Sequence, residues 1–259
     1  MTSTTTINNH PFHTETTGKG TPVLFIHGLG SSVEDWEMQI PHFAKKYKTI
    51  AIDLRGHGKT AGSDGAYSLK QFAADCAGLI EQEGATHIVG ISMGGMVAFQ
   101  LAIDFPELVK SLSIINSYAE VSLETRKVRN TVRLRKFIPR LLGMKRMGVI
   151  IGKKLFPKPE HEHLRNTVAE RWARNTVKDY TKSMNAIAGW TVMKDLGKIT
   201  CPTLVVAAEH DYSTVAEKQI YVDLMPNAKM VVIPDSYHGV TAEKPDEVNS
   251  AISKFLGAL

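Results

Sequence analysis

The chain has 259 residues, of which 43% are apolar and 22% charged, and its formal net charge is +5. This length and apolar content suffice to bury a large core, either as one α/β domain or as a domain that carries an insertion. The composition therefore excludes a disordered chain.

The two cysteines, Cys76 and Cys201, lie far apart without C-x-x-C spacing, so they indicate neither a disulfide framework nor a zinc site. The first residues, MTSTTTINNHPFH, lack the cationic and apolar regions of a secretory leader. No apolar run approaches the roughly 18 residues needed to cross a bilayer. We therefore expect a soluble, cytoplasmic protein.

Short apolar, β-branched segments recur along the chain and predict a sheet. Residues 1–20 have the pattern of two short strands joined at NNHP. The later predicted strands are TPVLFIHG (21–28), KTIAIDLRG (48–56), HIVGIS (87–92), VKSLSIINS (109–117), TLVVAAE (203–209) and AKMVVIPD (228–235). Their apolarity is nearly continuous rather than alternating, which is typical of parallel strands covered on both faces.

Helical patterns separate these strands, at about 34–46, 68–84, 93–104, 214–224 and 243–257. The alternation predicts an α/β fold with a mostly parallel twisted sheet, right-handed crossovers and helices on both faces. In such a sheet, binding and catalytic groups collect beyond the carboxyl ends of the strands.

One stretch breaks the alternation, because 85 residues separate Ser117 from Thr203. Loops without structure are rarely that long. This stretch contains the amphipathic helical segments TRKVRNTVRLRKFIPRLLG and EHLRNTVAERWARNTVKDYTKSMNAIAGW. We predict an α/β core formed by residues 1–118 and 196–259, and a helical, basic cap formed by residues 119–195.

The predicted cap is strongly basic, since residues 120–195 hold 18 Lys and Arg against 7 Asp and Glu. Its charges can lie on the solvated faces of amphipathic helices, which is the interpretation we favour. Two others stay open: arginines that point inward and attract an anionic substrate, and contact with an anionic membrane. We expect no nucleic-acid partner, because no aromatic recognition element accompanies the charge.

The stretch VGISMGGMVAF places one hydroxyl among three glycines, between a predicted strand and a predicted helix. Its residues Gly90-Ile91-Ser92-Met93-Gly94 fit G-x-S-x-G, the nucleophile elbow. In an elbow, a tight and strained turn lifts the serine above the sheet edge, and the flanking glycines keep side chains out of its way. The competing interpretation is an ordinary strand-to-helix turn whose serine caps the helix.

Other candidate residues follow neighbouring predicted strands. FIHGLG ends its strand in a glycine turn, where Gly28 would lie beside the substrate and the N–H of Leu29 could join that of Met93 in binding an oxyanion. Asp211 and His238 each follow a later strand. An unactivated serine is a poor nucleophile, so a histidine has to take its proton and a buried carboxylate has to orient that histidine.

These segments, with DLRGHGKT, AAEHD and SYHGVTAEKPDEV, resemble the α/β-hydrolase superfamily, in particular its capped enol-lactonases, C–C hydrolases and carboxylesterases. The resemblance covers nearly the whole chain except the predicted cap. It implies that Ser92 is the nucleophile, that His238 is the general base and acid, and that Asp211 orients His238. It also implies that Leu29 and Met93 supply the backbone oxyanion donors.

Several residues compete for these roles. His27 and His57 belong to glycine turns and are expected to be structural. Asp235 lies only three residues before His238 and is expected to be a turn residue. Asn116 follows the strand after the elbow, where some relatives keep the acid, but an amide cannot supply the charge.

His161 and His163 lie two residues apart without a third ligand nearby, which is weak evidence for a metal site. The chain also lacks H-E-x-x-H, G-x-x-x-x-G-K-[ST] and G-x-G-x-x-G. We therefore expect no metal, nucleotide, flavin or other cofactor.

Trp190 lies near the end of the predicted cap, with Met184, Ile187 and Met193 at helical spacings beside it. These side chains either pack between cap and core or form an apolar ceiling over Ser92 that excludes water. We predict that Trp190 contacts a small or medium acyl group of the substrate.

The sequence thus predicts a serine hydrolase that cleaves a carboxylic ester or lactone through an acyl-enzyme, with a small-molecule acyl substrate and water as its partners. The same residues would serve C–C bond hydrolysis, acyl transfer or perhydrolysis. A receptor that binds a small molecule with slow or no turnover is the alternative from another class. The sequence does not choose among these, and it leaves the oligomeric state open.

Overall fold

The computed structural model describes residues 2–259, and its strands form one eight-stranded sheet. In chain order the strands are β1 (Thr2–Ile7), β2 (His10–Thr17), β3 (Pro22–Ile26), β4 (Lys48–Ile52), β5 (Thr86–Ile91), β6 (Val109–Ile115), β7 (Thr203–Ala208) and β8 (Ala228–Ile233). Across the sheet their order is β1-β2-β4-β3-β5-β6-β7-β8. All neighbouring pairs from β4 to β8 are parallel, which confirms the predicted α/β class with a mostly parallel sheet.

An antiparallel hairpin closes one edge of the sheet, because β1 pairs with β2 and β2 pairs antiparallel with β4. The turn consists of Asn8 and Asn9, whose φ angles are 50° and 59°. Asparagine tolerates this left-handed region better than most residues, and two-residue turns of this kind match the twist of the flanking strands. The hairpin predicted at NNHP is therefore present.

Helices cover both faces of the sheet. They are α1 (Ile40–Phe43), α2 (Leu69–Glu83), α3 (Met93–Asp104), α4 (Arg126–Leu155), α5 (Glu162–Ala173), α6 (Val177–Ile187), α7 (Val215–Val222), α8 (Val240–Glu243) and α9 (Pro245–Leu256). Leu24 and Ile26 of β3 pack in one buried cluster with α2 and α3, whereas Val23 and Phe25 pack in a second cluster with α1 and α9. Successive side chains of a strand point to opposite faces, so β3 is buried on both.

Two predicted helices differ from the structure because of prolines. The helix predicted at 34–46 is a 3₁₀ turn (Val33–Trp36) followed by α1, which has Pro41 in its first turn. The helix predicted from residue 243 begins at Pro245. Proline lacks an N–H and clashes with the preceding helical turn, so it starts a new helix instead of continuing one.

The helices α4, α5 and α6 lie between β6 and β7, within residues 119–195, which we call the helical segment. Gly143, with φ 75° and ψ 168°, is not helical and divides α4 into two arms. Buried side chains of the segment, including Trp172 and Met184, join the core cluster of α2 and α3. Within residues 2–259, no helix combines the length and the apolar content needed to cross a membrane.

Candidate active site

Ser92 lies between the end of β5 and the start of α3, at the carboxyl edge of the sheet. Its φ of 53° and ψ of −118° form a strained conformation for a residue with a side chain. The Ser92 side chain makes no capping hydrogen bond to α3, so the helix-cap interpretation is wrong. Its Oγ lies 3.1 Å from Nε2 of His238.

Three glycines around Ser92 allow very close approach of other groups. A Cβ at Gly94 would lie 2.0 Å from the carbonyl oxygen of Ile26. A Cβ at Gly90 would lie 2.4 Å from the carbonyl oxygen of Gly94, and one at Gly95 would lie 2.5 Å from the side chain of Ser117. The glycines are therefore required by the packing of the elbow against the neighbouring strands, since no real Cβ approaches another atom this closely.

The structure brings Asp211 and His238 to Ser92, although the three are far apart in sequence. Asp211 follows β7 and His238 follows β8. Nδ1 of His238 donates to Oδ1 of Asp211 at 2.5 Å, which leaves Nε2 free to accept a proton from Ser92. The ring of Tyr212 stacks on that of His238, with 4.2 Å between centroids. The geometry is that of a nucleophile, a base and an orienting carboxylate.

Lys218 on α7 is the charged neighbour of Asp211 that the sequence analysis missed. Its Nζ lies 2.6 Å from Oδ2 of Asp211 and also donates to the carbonyl oxygen and Oγ of Ser213. The Lys218 side chain and the Asp211 carboxylate are both fully buried. Helical spacing could have indicated that Lys218 is buried, because it lies on the buried side of α7 with Val222.

The pKa of Asp211 results from opposing effects. Burial raises the pKa, but the charges and hydrogen bonds of His238 and Lys218 outweigh it and hold the pKa below its usual value. Asp211 therefore stays ionised at neutral pH and can stabilise a positive charge on His238.

Asn116 links three elements of the site, although the sequence analysis considered it only as a rejected acid. Its Nδ2 donates to the carbonyl oxygens of Tyr237 and His238, at 3.3 and 3.0 Å. Its Oδ1 accepts from the N–H of Ala208, at the end of β7, at 2.8 Å. Asn116 thereby positions the loop that carries His238 against the strand that leads to Asp211.

Asp235 does not take part in the site. Its φ is 47°, its side chain is exposed, and it pairs with Lys158 at 2.7 Å. The structure therefore brings Asp211, and not Asp235, to His238.

The N–H groups of Leu29 and Met93 have no hydrogen-bond acceptor among the described residues, and both residues line the cavity beside Ser92. Gly28 also lines it, and a Cβ there would lie 3.5 Å from that of Ser92. Two free N–H groups next to a nucleophile can bind an oxyanion.

His27 fixes the peptide between Gly28 and Leu29. Its Nδ1 donates to the carbonyl oxygen of Gly28 at 2.7 Å, and its Nε2 accepts from the N–H of Leu54 at 3.0 Å. The N–H of Ser31 donates to the same Gly28 oxygen. In a trans peptide the N–H and the C=O point in opposite directions. The bonds to the Gly28 oxygen therefore hold the N–H of Leu29 pointing away from the His27 ring and from Ser31. His27 is a positioning residue in its neutral form.

The buried, neutral His27 and His57 are expected to make stability depend on pH. Burial lowers the pKa of His27 to about 4, and burial together with repulsion from a protonated His27 lowers the pKa of His57 to about 3. An unfolded histidine titrates near about 6.5. Below that pH the unfolded chain binds protons that the folded chain excludes. The free energy of unfolding should therefore fall as pH drops from about 6.5 to about 4, by up to about 1.4 kcal/mol per unit for each histidine.

Urea unfolding between about pH 7 and pH 5 measures this slope. His57→Gln should make the slope shallower, and His163→Gln, at an exposed site, should leave it unchanged. Equal slopes for wild type and His57→Gln would contradict the assignment.

A cavity of about 930 Å³ opens over Ser92, and its walls include residues of the helical segment. Met184, Ile187 and Met193 line it, in agreement with the second of the two arrangements considered for them. Trp172 of α5 also lines it, and its indole lies against Gly30.

The prediction for Trp190 is wrong, because this residue does not line the cavity. Its Nε1 donates to Oε1 of Gln100 on α3 at 2.9 Å, and its carbonyl oxygen accepts from Val121. The helix α6 ends at Ile187, and the extended Ala188 and Gly189, with φ 81°, take the chain out of the helical conformation before Trp190. Trp190 therefore does not share a helical face with Met184 and Ile187. Its side chain packs between α3 and the rest of the helical segment.

Arg135 of α4 is an inward-facing cation of the kind that the sequence left open. It lines the cavity, and its Nε donates to the hydroxyl of Tyr180 at 3.3 Å. The phenols of Tyr118 and Tyr212 also lie near its guanidinium. Among residues 2–259, Arg135 forms no ion pair with a carboxylate.

Comparison with known proteins gives consistent matches. The sequence profile of the alpha/beta hydrolase fold family matches residues 21–245. The chain is 29% identical to the (E)-2-((N-methylformamido)methylene)succinate hydrolase of Acinetobacter baylyi, over 96% of this chain and 95% of that one. It is 26% identical to 3-oxoadipate enol-lactonase 2 of the same organism, over 90% and 88%. The enol-lactonase structure from Burkholderia xenovorans LB400 has a TM-score of 0.91 at 20% identity, over 98% and 100%.

Proposed function

Because the chain belongs to the alpha/beta-hydrolase fold family, we propose that it is a serine hydrolase that cleaves a carboxylic ester or lactone through an acyl-enzyme on Ser92. The observation that carries the proposal is the hydrogen-bonded series from Ser92 through His238 to Asp211. The strained, uncapped conformation of Ser92 supports it further, since the hydroxyl is left available for attack.

In the first half-reaction, Oγ of Ser92 attacks the substrate carbonyl carbon while Nε2 of His238 takes the hydroxyl proton. The carbonyl oxygen becomes an oxyanion that accepts hydrogen bonds from the N–H groups of Leu29 and Met93. Asp211 stabilises the imidazolium. When the intermediate collapses, the alcohol leaves with the proton from His238, and an acyl-enzyme remains.

In the second half-reaction, water attacks the acyl carbon and His238 takes a proton from that water. The new oxyanion is held by the same two N–H groups. Its collapse releases the carboxylic acid, and His238 returns the proton to Ser92. In a lactone the leaving alcohol stays attached to the acyl group, so one ring-opened product results.

The helical segment acts in this proposal as a cap that limits water access and acyl length. Trp172, Met184 and Ile187 supply apolar surface over the site, and a cavity of this size is typical for a small or medium ligand. Exclusion of water strengthens the interactions that stabilise the oxyanion.

The acyl-length prediction tests the proposed activity. Purified protein should hydrolyse 4-nitrophenyl acetate and butyrate with a higher kcat/KM than the palmitate ester, because the longer chain extends beyond the cavity. A fluorophosphonate should label Ser92 and no other serine, as mapped by peptide mass spectrometry. No turnover of any ester would contradict the proposal. Palmitate as best substrate, with a jump in rate at a lipid interface, would identify the segment as a lipase lid.

The unpaired guanidinium of Arg135 supports a carboxylate on the substrate, since a cation in a cavity attracts an anionic partner. The two relatives from Acinetobacter baylyi are named for acting on a succinate derivative and on an oxoadipate enol-lactone. Succinate and oxoadipate are both carboxylates. We include this preference in the proposal.

Arg135→Gln should lower kcat/KM for mono-4-nitrophenyl succinate by about 10-fold to 100-fold, as expected for the loss of a charge-assisted hydrogen bond. It should change the value for the neutral butyrate ester far less. Arg133→Gln, an exposed neighbour on α4, is the matched control. An equal loss with both esters would show that Arg135 acts on the fold of the site and not on substrate charge.

A further inference from the structure

The helix α4 carries an extreme charge. Its 30 residues include 11 Lys and Arg and no Asp or Glu. Among residues 2–259, none of these cations forms an ion pair with a carboxylate. The cations of α4 are therefore not held in direct pairs with carboxylates of the described chain.

The first arm of α4 also exposes large apolar side chains. Four of them are 55–64% exposed. The other three follow Leu134 by three, seven and eight residues, and this spacing places all four on one side of the helix. A basic residue directly precedes three of the four in sequence. We call this surface the α4 face: Leu134, Phe137, Leu141 and Leu142 with Arg133, Lys136 and Arg140.

Charge and exposed apolar surface together restrict what can cover the α4 face. Attraction of an anionic substrate would account for the cations, but not for Phe137, Leu141 and Leu142, which are exposed and do not line the cavity. A second copy of the chain would bring two strongly basic helices together, which like-charge repulsion opposes. Nucleic acid would pair with the cations and leave leucines on a phosphate backbone.

An anionic bilayer fits both features. A helix that lies in the membrane interface places Phe and Leu at the headgroup and acyl boundary, and its Lys and Arg pair with anionic headgroups. We propose that the α4 face docks this protein onto the surface of an anionic lipid bilayer, with the first arm of α4 lying in the plane of the interface.

Docking through this face would place the active-site cavity at the membrane. Thr131, Leu134, Arg135 and Ile138 of the same arm line that cavity, so one helix contributes to both surfaces and Leu134 belongs to both. The inference goes beyond the proposed hydrolysis and does not depend on it, because Phe137, Leu141 and Leu142 do not line the cavity.

Co-sedimentation of the full chain with vesicles tests the proposal. The protein should bind phosphatidylcholine vesicles that contain phosphatidylglycerol, bind pure phosphatidylcholine vesicles much more weakly, and lose binding as salt is raised. No binding to the anionic vesicles would overturn the proposal.

Two sets of substitutions separate charge from apolar insertion. The triple variant R133Q, K136Q and R140Q should bind about a hundredfold more weakly, at about a fivefold loss per charge removed. The triple variant F137S, L141S and L142S should lose at least about tenfold. The matched control is K45Q, K46Q and K70Q, which removes three exposed lysines outside the helical segment and should bind nearly as wild type.

Three outcomes of these measurements would overturn the proposal. Wild-type binding by F137S, L141S and L142S would show electrostatic adsorption without insertion. Concentration-dependent dimers that this variant abolishes would show that a second copy covers the face. Duplex DNA bound more tightly than anionic vesicles would point to a nucleic acid. Circular dichroism and turnover of 4-nitrophenyl acetate should match wild type for both variants and verify that they fold.

Discussion

Replacing Ser92 with alanine is expected to lower kcat for ester hydrolysis by about 10⁶-fold, the size of loss seen when a serine hydrolase loses its nucleophile. In the proposed mechanism the hydroxyl is the attacking group, and no other hydroxyl is bonded to Nε2 of His238 among the described residues. The Ser92 side chain makes no bond that stabilises α3, so the variant should fold and keep its melting temperature.

Purified Ser92→Ala should be compared with Ser122→Ala in a 4-nitrophenyl butyrate assay. Ser122 lines the same cavity but makes no contact with the triad, so its variant should keep most of the activity. Retention of even about a tenth of wild-type activity by Ser92→Ala would rule out the acyl-enzyme mechanism. Such a result would favour a receptor, or a site that uses water directly.

Replacing Asp211 with asparagine is expected to lower kcat by up to about 10⁴-fold, since an amide favours the wrong tautomer of His238 and does not stabilise its cation. The structure adds a second effect. Lys218 is fully buried and would lose its only carboxylate partner among the described residues. An unpaired buried charge costs about 3–5 kcal/mol, so the variant should also melt at a lower temperature.

The double variant Asp211→Asn with Lys218→Met separates these effects. Removing the unpaired lysine should restore much of the stability but none of the lost kcat. Asp235→Asn is the control for a carboxylate on the neighbouring loop and should be nearly silent, because that side chain is exposed. If Asp235→Asn is the inactive variant, Asp211 is not the acid. If the double variant regains activity, the loss came from misfolding of the site.

Local sequence patterns were sufficient to predict the sheet and the elbow. Continuous apolar runs predict strands buried on both faces, and their alternation with helical patterns fixes the α/β class. The glycines around Ser92 are informative because each one permits an approach that a Cβ would block. Proline interrupts two predicted helices, and its effect on a helix is equally local.

The partners of the site depended on tertiary structure. Asp211 and His238 were predicted from their places after two strands, but only the structure shows that Asp211 also pairs with a buried lysine and that Asn116 bonds to the His238 loop. These contacts join residues from different strand ends, and their energies come from burial that no single segment reveals. The position of Lys218 on the apolar side of α7 indicates that it is buried, but not that its partner is Asp211.

The sequence by itself determined that the chain has a strand-turn-helix elbow at Ser92, an α/β core and a basic helical segment, because these follow from glycine geometry, apolar periodicity and net charge. The tertiary structure decided which side chains of the segment face the cavity and which face solvent. Trp190 was misassigned because α6 ends at Ile187 and neither Ala188 nor Gly189 is helical, whereas Trp172 and Arg135 reach the cavity from other helices. The orientation of a helix about its own axis depends on everything packed against it, and for that reason periodicity alone does not determine what its faces contact.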